Sequence, residues 1–221
     1  MSGPVKKRQY VSPARQAKAE ATRARIIDAA TRLFLETGYV RTSTAAIGKA
    51  ARTSEASVFA VFGSKADLLV AVVRDHVVRD SDFPLARQPI WPRFAAEHDK
   101  SPAIAAIARV VRRAHDRSWR LLAVATAAAQ DDPAVADAVG RATRSRRDDC
   151  EWFVLEVIGI AESDDSDRRT DELWALISVE NYRHLVVERS WPPERYEGWL
   201  AAMLTAILRS ATSPTFERAQ A

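Results

Sequence analysis

The stretch that decides the fold runs from Arg25 to Leu69 and reads RIIDAATRLFLETGYVRTSTAAIGKAARTSEASVFAVFGSKADLL. Apolar residues recur in it at helical spacing, and Gly38 ends the first run, as a C′ glycine does. The sequence predicts a helix that begins between Ser12 and Lys18 and ends near Thr37, a second over Thr44–Ala50, and a third that ends at Phe62. A fourth starts after Ser64. The expected N-cap residues are Ser43 or Thr44, Ser54 and Ser64.

The second and third helices are joined by the three-residue turn Ala51-Arg52-Thr53, and the longer first helix braces them. This arrangement is typical of a helix-turn-helix, whose second helix enters the major groove of DNA. An ordinary helical hairpin is the alternative. The third helix is expected to bury Val58, Val61 and Phe62 and to direct mostly small residues outward, which lets its backbone approach base edges. The outward residues are Glu55, Ala56, Ser57, Phe59 and Ala60.

The same stretch resembles the TetR family of transcriptional repressors. The matching residues are Ala29-Ala30, Leu33-Phe34, Gly38-Tyr39, Thr42-Ser43, Ile47, Ala50-Ala51, Ser54, Ala56-Ser57, Val58-Phe59, Phe62, Ser64-Lys65 and Leu68-Leu69. They follow one register over about a fifth of the chain. A weaker likeness extends to the C-terminal half.

Four positions depart from the family pattern. Arg52 replaces the turn glycine and Thr53 the valine after it, while Gly48 replaces an alanine and Phe59 a tyrosine. If the turn is left-handed, an L-residue there costs about 1–2 kcal/mol. Gly48 costs roughly 1 kcal/mol of helix propensity unless tight packing against the third helix requires it.

The resemblance implies a homodimer that places two recognition helices in successive major grooves of a near-palindromic double-stranded DNA operator. The residues expected to face bases are Thr44, Glu55, Ala56, Ser57 and Ala60, with Glu55 accepting from cytosine N4. Those expected at phosphates are Ser43, Arg52 and Lys65, and Phe59 is expected against a sugar or a thymine methyl group. A small-molecule effector would release the DNA.

Charge is distributed unevenly along the 221 residues. Residues 1–52 hold 11 Lys and Arg against 3 Asp and Glu, a net of 11 − 3 = +8, so the rest carries 4 − 8 = −4. A basic end on an acidic body is typical of a protein that meets nucleic acid at that end, and a solvated charged face is the alternative. Lys6, Lys7 and Arg8 lie in a polar segment, Met1–Ala14, that is interpreted as a basic arm or a loose tail.

The amino-acid composition narrows the fold class and the cellular compartment that we expect. The low glycine content favours an all-α fold of about nine helices, and no apolar run approaches the roughly 20 residues of a membrane span. No signal peptide is expected, and the single cysteine, Cys150, is compatible with a reducing cytoplasm. Cys150 is interpreted as structural, with a redox sensor as the alternative.

We predict two domains, a DNA-binding domain over residues 1–66 and a ligand-binding and dimerisation domain over residues 67–221. Ser81–Lys100 is expected to be an irregular connection, and Gly159–Arg169 a solvated loop. The further helices are expected from Ser101 to a kink near Arg117-Ser118, over Trp119–Gln130, from Asp131-Asp132-Pro133 to Ile158, over Thr170–Arg189 and through Leu208. Ser178 and Asn181 are candidate interruptions of the Thr170–Arg189 helix, and a disordered tail is expected from Ser210.

The second domain offers candidate sites for an effector and for a partner subunit. The ligand-pocket candidates are His115, Trp119, Asp148, Trp152, Trp174 and Tyr182, each with plain core as its alternative. Their aromatic character favours an apolar or aromatic effector. The last helix is apolar over more than one face and resembles the family's dimerisation element. The dimer-interface candidates are Leu185, Trp199, Met203, Leu204 and Ile207.

No pattern in the sequence indicates catalysis, a metal site or a cofactor: glycine-rich phosphate loops are lacking and the four histidines are scattered. The main hypothesis is a ligand-responsive repressor without enzymatic activity. The alternative is a dimeric ligand-binding scaffold with weakened DNA binding, which Arg52 and Phe59 favour. A small helical enzyme is a more remote alternative.

Overall fold

The computed structural model describes residues 13–78 and 91–209. Its helices are α1 (Pro13–Arg41), α2 (Thr44–Ala50), α3 (Glu55–Phe62), α4 (Lys65–Val78), α5 (Trp91–Ala96), α6 (Ser101–Ala128), α7 (Pro133–Trp152), α8 (Asp164–Leu176), α9 (Val179–Tyr182) and α10 (Pro193–Arg209). α7 continues as a π-helix over Phe153–Ile158, and α9 does so over Arg183–Glu188. Because the described residues contain no strand, the predicted all-α fold of about nine helices is confirmed.

The chain divides into two compact units, Met1–Val72 and Val73–Ala221, with the boundary inside α4. The functional domains over 1–66 and 67–221 stay a prediction. The N-terminal arm, the first ten residues of the 81–100 connection and the tail from Ser210 lie outside the described residues.

In the first unit, the predicted glycine and N-cap residues lie at breaks and starts of the helices. Helical geometry in α1 is interrupted at Gly38, whose φ of 79° and ψ of 168° lie in a backbone region that is essentially limited to glycine. Ser43 caps α2 by accepting the backbone N–H of Ala46 at 3.1 Å, and Ser54 caps α3 by accepting that of Ser57 at 3.1 Å. The unit closes over an apolar core. Its fully buried members include Ile26, Ala30, Phe34, Ile47, Leu68 and Leu69.

The turn between α2 and α3 has the left-handed backbone that the family pattern implies. Arg52 adopts a φ of 55°, and the N–H of Thr53 donates to the Gly48 carbonyl at 2.9 Å. Arg25 of α1 steadies this turn from outside, because its Nε donates to the Ala51 carbonyl at 3.3 Å. The non-glycine residue in the left-handed region therefore costs the folded state about 1–2 kcal/mol.

Gly48 is required by its surroundings. A Cβ atom there would lie 3.1 Å from the backbone nitrogen of Glu55 and 3.1 Å from the carbonyl carbon of Ser54. Since these are backbone atoms at the start of α3, they yield only if the helix itself shifts. The close approach of α2 to α3 thus explains a residue that helix propensity alone disfavours.

The second unit is organised around a core shared by its longer helices. The buried members of this core are Trp91, Phe94, Ala103, Ile104, Ile107, Ala108, Val111, Cys150, Phe153, Val154, Val157, Ile158, Leu173, Ile177, Tyr182, Tyr196, Leu200, Leu204 and Leu208. Cys150 is fully buried and burial raises the pKa of its thiol to about 12, so the structural interpretation of this residue fits and a reactive thiolate does not.

Three predictions for this unit are wrong. The predicted break near Arg117-Ser118 is missing, since α6 is one helix over Ser101–Ala128, in which the Ser118 hydroxyl is buried and donates to the Ala114 carbonyl at 2.6 Å. Residues 91–96 of the supposed irregular connection form α5, which buries Trp91 and Phe94 in the core.

The third error concerns the supposed solvated loop over Gly159–Arg169, the second half of which is helical. Ser163 and Ser166 form a reciprocal capping box that starts α8 at Asp164. Arg169 is buried, where it donates to Asp165 at 2.6 Å and to the carbonyl of Ile207. In the helix predicted over Thr170–Arg189, the interruption expected at Ser178 and Asn181 is present: α8 ends at Leu176, and the Asn181 amide donates to the Ala175 carbonyl at 2.9 Å.

We expect Gly48→Ala to destabilise the protein. Alanine gains about 1 kcal/mol of helix propensity, but forcing the start of α3 away costs about 1–3 kcal/mol. Urea unfolding measures the balance. Gly140→Ala in α7 is the matched control, because a Cβ there meets only the flexible end of Arg144 at an ordinary 3.6 Å. If both variants are stabilised alike, the close approach at Gly48 does not constrain the fold.

We expect His115 to make the protein acid-sensitive. Burial, reinforced by the charge of Arg146 and opposed by that of Asp116, lowers the pKa of His115 from 6.5 to about 3. As the pH falls, His115 is protonated in the unfolded chain before it is protonated in the folded protein. The contribution of neutral His115 to the free energy of unfolding is therefore complete above pH 6.5 and is lost as the pH falls toward 3.

Between pH 7 and pH 5 this linkage removes about 2 kcal/mol from the free energy of unfolding. Urea unfolding of His115→Phe should show that part of the pH dependence abolished. The control is His98→Asn, at an exposed position. An unchanged pH dependence in His115→Phe would contradict the assignment.

Candidate nucleic-acid interface

The exposed face of α3 is the one that the sequence predicts. Glu55, Ala56 and Ala60 are exposed, Ser57 is half-buried, and Phe59 leaves 46% of its surface in solvent. Small side chains at three of these positions leave the helix backbone accessible. A helix with such a face can lie deep in a major groove, and the Phe59 ring can contact a sugar or a thymine methyl group.

The burial predicted for the opposite face is correct at Val58 and Phe62, which are 1% and 9% exposed. It is wrong at Val61, which is 39% exposed. Val61 lies beside Ala60 at the edge of a groove between α3 and the start of α1. The α1 residues opposite are polar or small, so they do not cover it.

Glu55 is held in place by a contact between α2 and α3. The Thr44 hydroxyl donates to the Glu55 carboxylate, and Thr44 itself is buried. Thr44 therefore does not present its own side chain to bases, and it contributes to the interface by holding the Glu55 carboxylate in place. Glu55 also lies in the first turn of α3, where the helix dipole favours a negative charge. The geometry thus fixes one hydrogen-bond acceptor at the leading end of α3.

The three residues expected at phosphates are placed differently from one another. Ser43 and Arg52 are exposed on the first unit. Lys65 is half-buried, and its ammonium group donates to the carbonyls of Tyr39 and Thr42 at 3.1 Å each. It also lies 4.1 Å from the centroid of the Tyr39 ring. Lys65 therefore donates to carbonyls at the C-terminal end of α1 instead of taking the outward orientation that the sequence predicts.

The ligand-pocket candidates do not come together in one cavity of the described residues. His115 and Tyr182 are neighbours, with ring centroids 5.5 Å apart, and the Nδ1 atom of His115 has no hydrogen-bond partner there. Trp152 packs near Trp91 at 6.5 Å, and Asp148 lies on the exposed face of α7.

Trp119, one turn of α6 after His115, lines a cleft of about 220 Å³ between α6 and α9. The other residues lining this cleft are Ala123, Thr126, Ala127, Gln130, Val179, Glu180 and Arg183. Apolar walls with a carboxylate and a guanidinium at the edge suit a small amphipathic molecule.

Arg146 is a residue that the sequence does not single out. Its guanidinium lies 4.8 Å from the centroid of the Trp174 ring, and its Nε is buried without a hydrogen-bond partner in the described residues. Burial lowers the pKa of Arg146. Arg141, Arg144 and Arg147 lie close to it in the same polar half of α7, so composition alone does not distinguish the arginine that turns inward.

The dimer-interface candidates divide by burial. Met203 is 37% exposed, and Leu185, Trp199 and Ile207 are half-buried. Leu204 is fully buried within its own unit, so it belongs to the core and not to an exposed face. Val187, which the sequence does not single out, is 39% exposed on the π-helical continuation of α9.

Residues 13–78 and 91–209 show neither a metal-binding cluster nor a single membrane-spanning helix. No group of three His, Cys, Asp or Glu side chains in these ranges is arranged to hold a metal ion. No single helix in them is long and apolar enough to cross a membrane, although the bent pair Glu55–Phe62 and Lys65–Val77 would qualify together on length and composition.

The sequence over residues 26–72 matches the family model described as bacterial regulatory proteins, tetR family. No curated protein matches the chain. Several solved structures are similar to most of it. NalD of Pseudomonas aeruginosa, the secondary repressor of the MexAB-OprM multidrug efflux pump, superposes with a TM-score of 0.61 at 20% identity, covering 87% of this chain and 96% of NalD.

Two other structures show the same fold. A protein from Saccharomonospora viridis, assigned as a transcriptional regulator and solved in complex with choline, has a TM-score of 0.58 at 19% identity and covers 84% of this chain and 96% of its own. A protein from Pseudomonas aeruginosa PAO1 with the same assignment has a TM-score of 0.65 at 13% identity, with coverages of 90% and 93%. Residues 26–72, which hold the helix-turn-helix, therefore match the tetR family of bacterial regulatory proteins, and the solved structures share the fold of most of the chain.

Proposed function

We propose that this protein is a ligand-responsive transcriptional repressor that binds a near-palindromic DNA operator as a homodimer. The observation that carries the proposal is the exposed face of α3, where small residues surround a carboxylate that Thr44 holds in position. Two such helices, one from each subunit, would occupy major grooves about 34–36 Å apart. The description of NalD as a repressor supports the direction of regulation.

The effector part of the proposal rests on the second unit. The S. viridis structure holds choline, so a protein of similar fold accommodates a small molecule. In this chain the cleft between α6 and α9 and the aromatic residues near His115 favour an apolar or aromatic effector. An effector releases DNA only if it binds the DNA-free conformation more tightly than the DNA-bound one.

The homodimer is supported by apolar surface near the C-terminus. Met203 and Val187 are more than one third exposed, and Trp199 and Ile207 are half-buried. Covering such side chains in a second copy removes apolar area from water and stabilises association.

A dimeric ligand-binding scaffold is the second candidate. Lys65 is engaged with carbonyls of its own unit, and Phe59 lacks the hydroxyl group that the family pattern carries at its position. Both observations remove phosphate contacts that a DNA-binding protein would use. Selection of a binding site from random DNA distinguishes the repressor from the scaffold.

We expect the purified protein to select a duplex with two related, inverted half-sites from a random DNA pool. Its affinity, measured by fluorescence anisotropy, should fall steeply as salt rises, because cations released from phosphates drive binding. A selected sequence with one half-site would contradict the homodimer. Recovery of the starting pool, with no enrichment, would favour the scaffold.

Glu55→Ala should relax the selected sequence at one position of each half-site and cost about 1–3 kcal/mol on the preferred duplex. Repeating the selection with the variant identifies that position. Glu36→Ala is the control, because Glu36 is an exposed acid on α1 with the same charge. An unchanged sequence preference in Glu55→Ala would show that Glu55 reads no base.

A further inference from the structure

A groove runs between the start of α1 and the exposed side of α3. Its volume is about 340 Å³. It is lined by Arg15, Lys18, Ala19 and Thr22 of α1 and by Ser57, Ala60 and Val61 of α3. We propose that this groove binds the sugar-phosphate backbone of the DNA whose major groove α3 enters, with Arg15 and Lys18 as phosphate ligands. This inference rests on the proposed function.

The charge of the groove is uncompensated. Arg15 and Lys18 are exposed, and neither side chain makes a hydrogen bond or an ion pair within the described part of the chain. The acidic residue of this stretch, Glu20, accepts a hydrogen bond from the Gln16 amide at 3.2 Å. Residues 13–25 hold four Lys and Arg and one Glu, a net of 4 − 1 = +3. A polyanion is therefore the complementary occupant.

The shape of the groove suits a nucleic acid backbone. Ala19 and Ala60 place small side chains in its lining, so a ridge of sugars and phosphates can approach the helices closely. Val61, 39% exposed, offers an apolar contact for a deoxyribose. The exposure of Val61, which is unexpected for a core position of a helix-turn-helix, has an explanation if DNA covers it.

The α1 side of the groove is fixed relative to the turn before α3. The Thr22 hydroxyl donates to the Lys18 carbonyl at 2.9 Å and accepts from Nη2 of Arg25 at 3.1 Å. The same guanidinium donates through Nε to the Ala51 carbonyl at 3.3 Å. Arg25 is thus committed to positioning the groove, whereas Arg15 and Lys18 are free to bind.

The groove is continuous with the face that reads bases. Ser57 and Ala60 belong both to its lining and to the outward residues of α3. Arg15 and Lys18 are three residues apart, so they lie on one side of α1 with an axial separation of about 4.5 Å. A DNA strand at the edge of the major groove would therefore pass from the exposed face of α3 toward both cations.

The test compares Arg15→Gln and Lys18→Gln with Arg32→Gln, an equal charge change at an exposed position of α1. Arg32 lies 14 residues beyond Lys18, or about 21 Å along the helix. Full-length proteins are titrated by anisotropy against the duplex selected by the wild type and against a mixed-sequence duplex, over a series of salt concentrations. Circular dichroism confirms that each variant is folded.

In each groove variant, the slope of log affinity against log salt should become less negative by about 0.9 for every phosphate contact removed, or by about 1.8 for a dimer. Binding should weaken equally on both duplexes, because phosphate contacts carry no sequence information. Arg32→Gln should leave the slope unchanged. An equal change in Arg32→Gln would show a general charge effect and would overturn the groove assignment.

The outcomes separate this inference from the proposed function. Sequence-selective binding with unchanged slopes in Arg15→Gln and Lys18→Gln overturns the groove and leaves the function standing. If the wild type selects no DNA sequence, but the groove variants still reduce the salt dependence of binding to mixed-sequence DNA, the groove assignment is supported. The proposal of a sequence-specific regulator is then overturned. A wild-type protein that binds neither duplex overturns both.

Discussion

The close approach of α2 to α3 at Gly48 is the constraint on which the candidate interface depends. With backbone atoms of Ser54 and Glu55 only 3.1 Å from where a Cβ atom would lie, the two helices are fixed at a separation that only glycine allows. The left-handed residue Arg52 then turns the chain between them. As a result, α3 buries Val58 and Phe62 and directs a face of small residues into solvent.

Cations of the first unit divide into two groups with different tasks. Arg25 and Lys65 donate to carbonyls at the ends of α1 and α2, so they hold the helices in position. Among residues 13–78 and 91–209, the side chains of Arg15 and Lys18 make no such bonds and retain their capacity for an external anion. Charge counting along the sequence finds the basic end of the chain, but only the hydrogen bonds distinguish structural cations from available ones.

Local chemistry made much of the first unit predictable. A glycine at a C′ position and serines at N-caps act within a few residues, which is why Gly38, Ser43 and Ser54 behave as the sequence indicates. The failures depend on neighbours that are distant in the chain. Val61 is exposed because α1 offers it no apolar cover, and Lys65 turns inward because carbonyls of residues 39 and 42 lie within its reach.

The second unit was harder to predict for the same reason. One arginine among several, Arg146, turns inward over Trp174, and the burial of Leu204 depends on which side of α10 the core occupies. Neither choice is encoded by spacing alone, since both depend on how several helices pack. The ligand-pocket residues were the hardest to predict, because an aromatic residue on a helix serves equally well in the core or in the wall of a cavity.

Dimethyl sulfate footprinting of the selected duplex tests most directly whether α3 reads a major groove. The reagent methylates guanine at N7, which lies in the major groove, and adenine at N3, which lies in the minor groove. We expect bound protein to protect guanine N7 in two patches about one helical turn apart, with Glu55→Ala weakening protection in each. Tight binding that leaves every guanine N7 reactive would contradict the placement of α3 in the major groove.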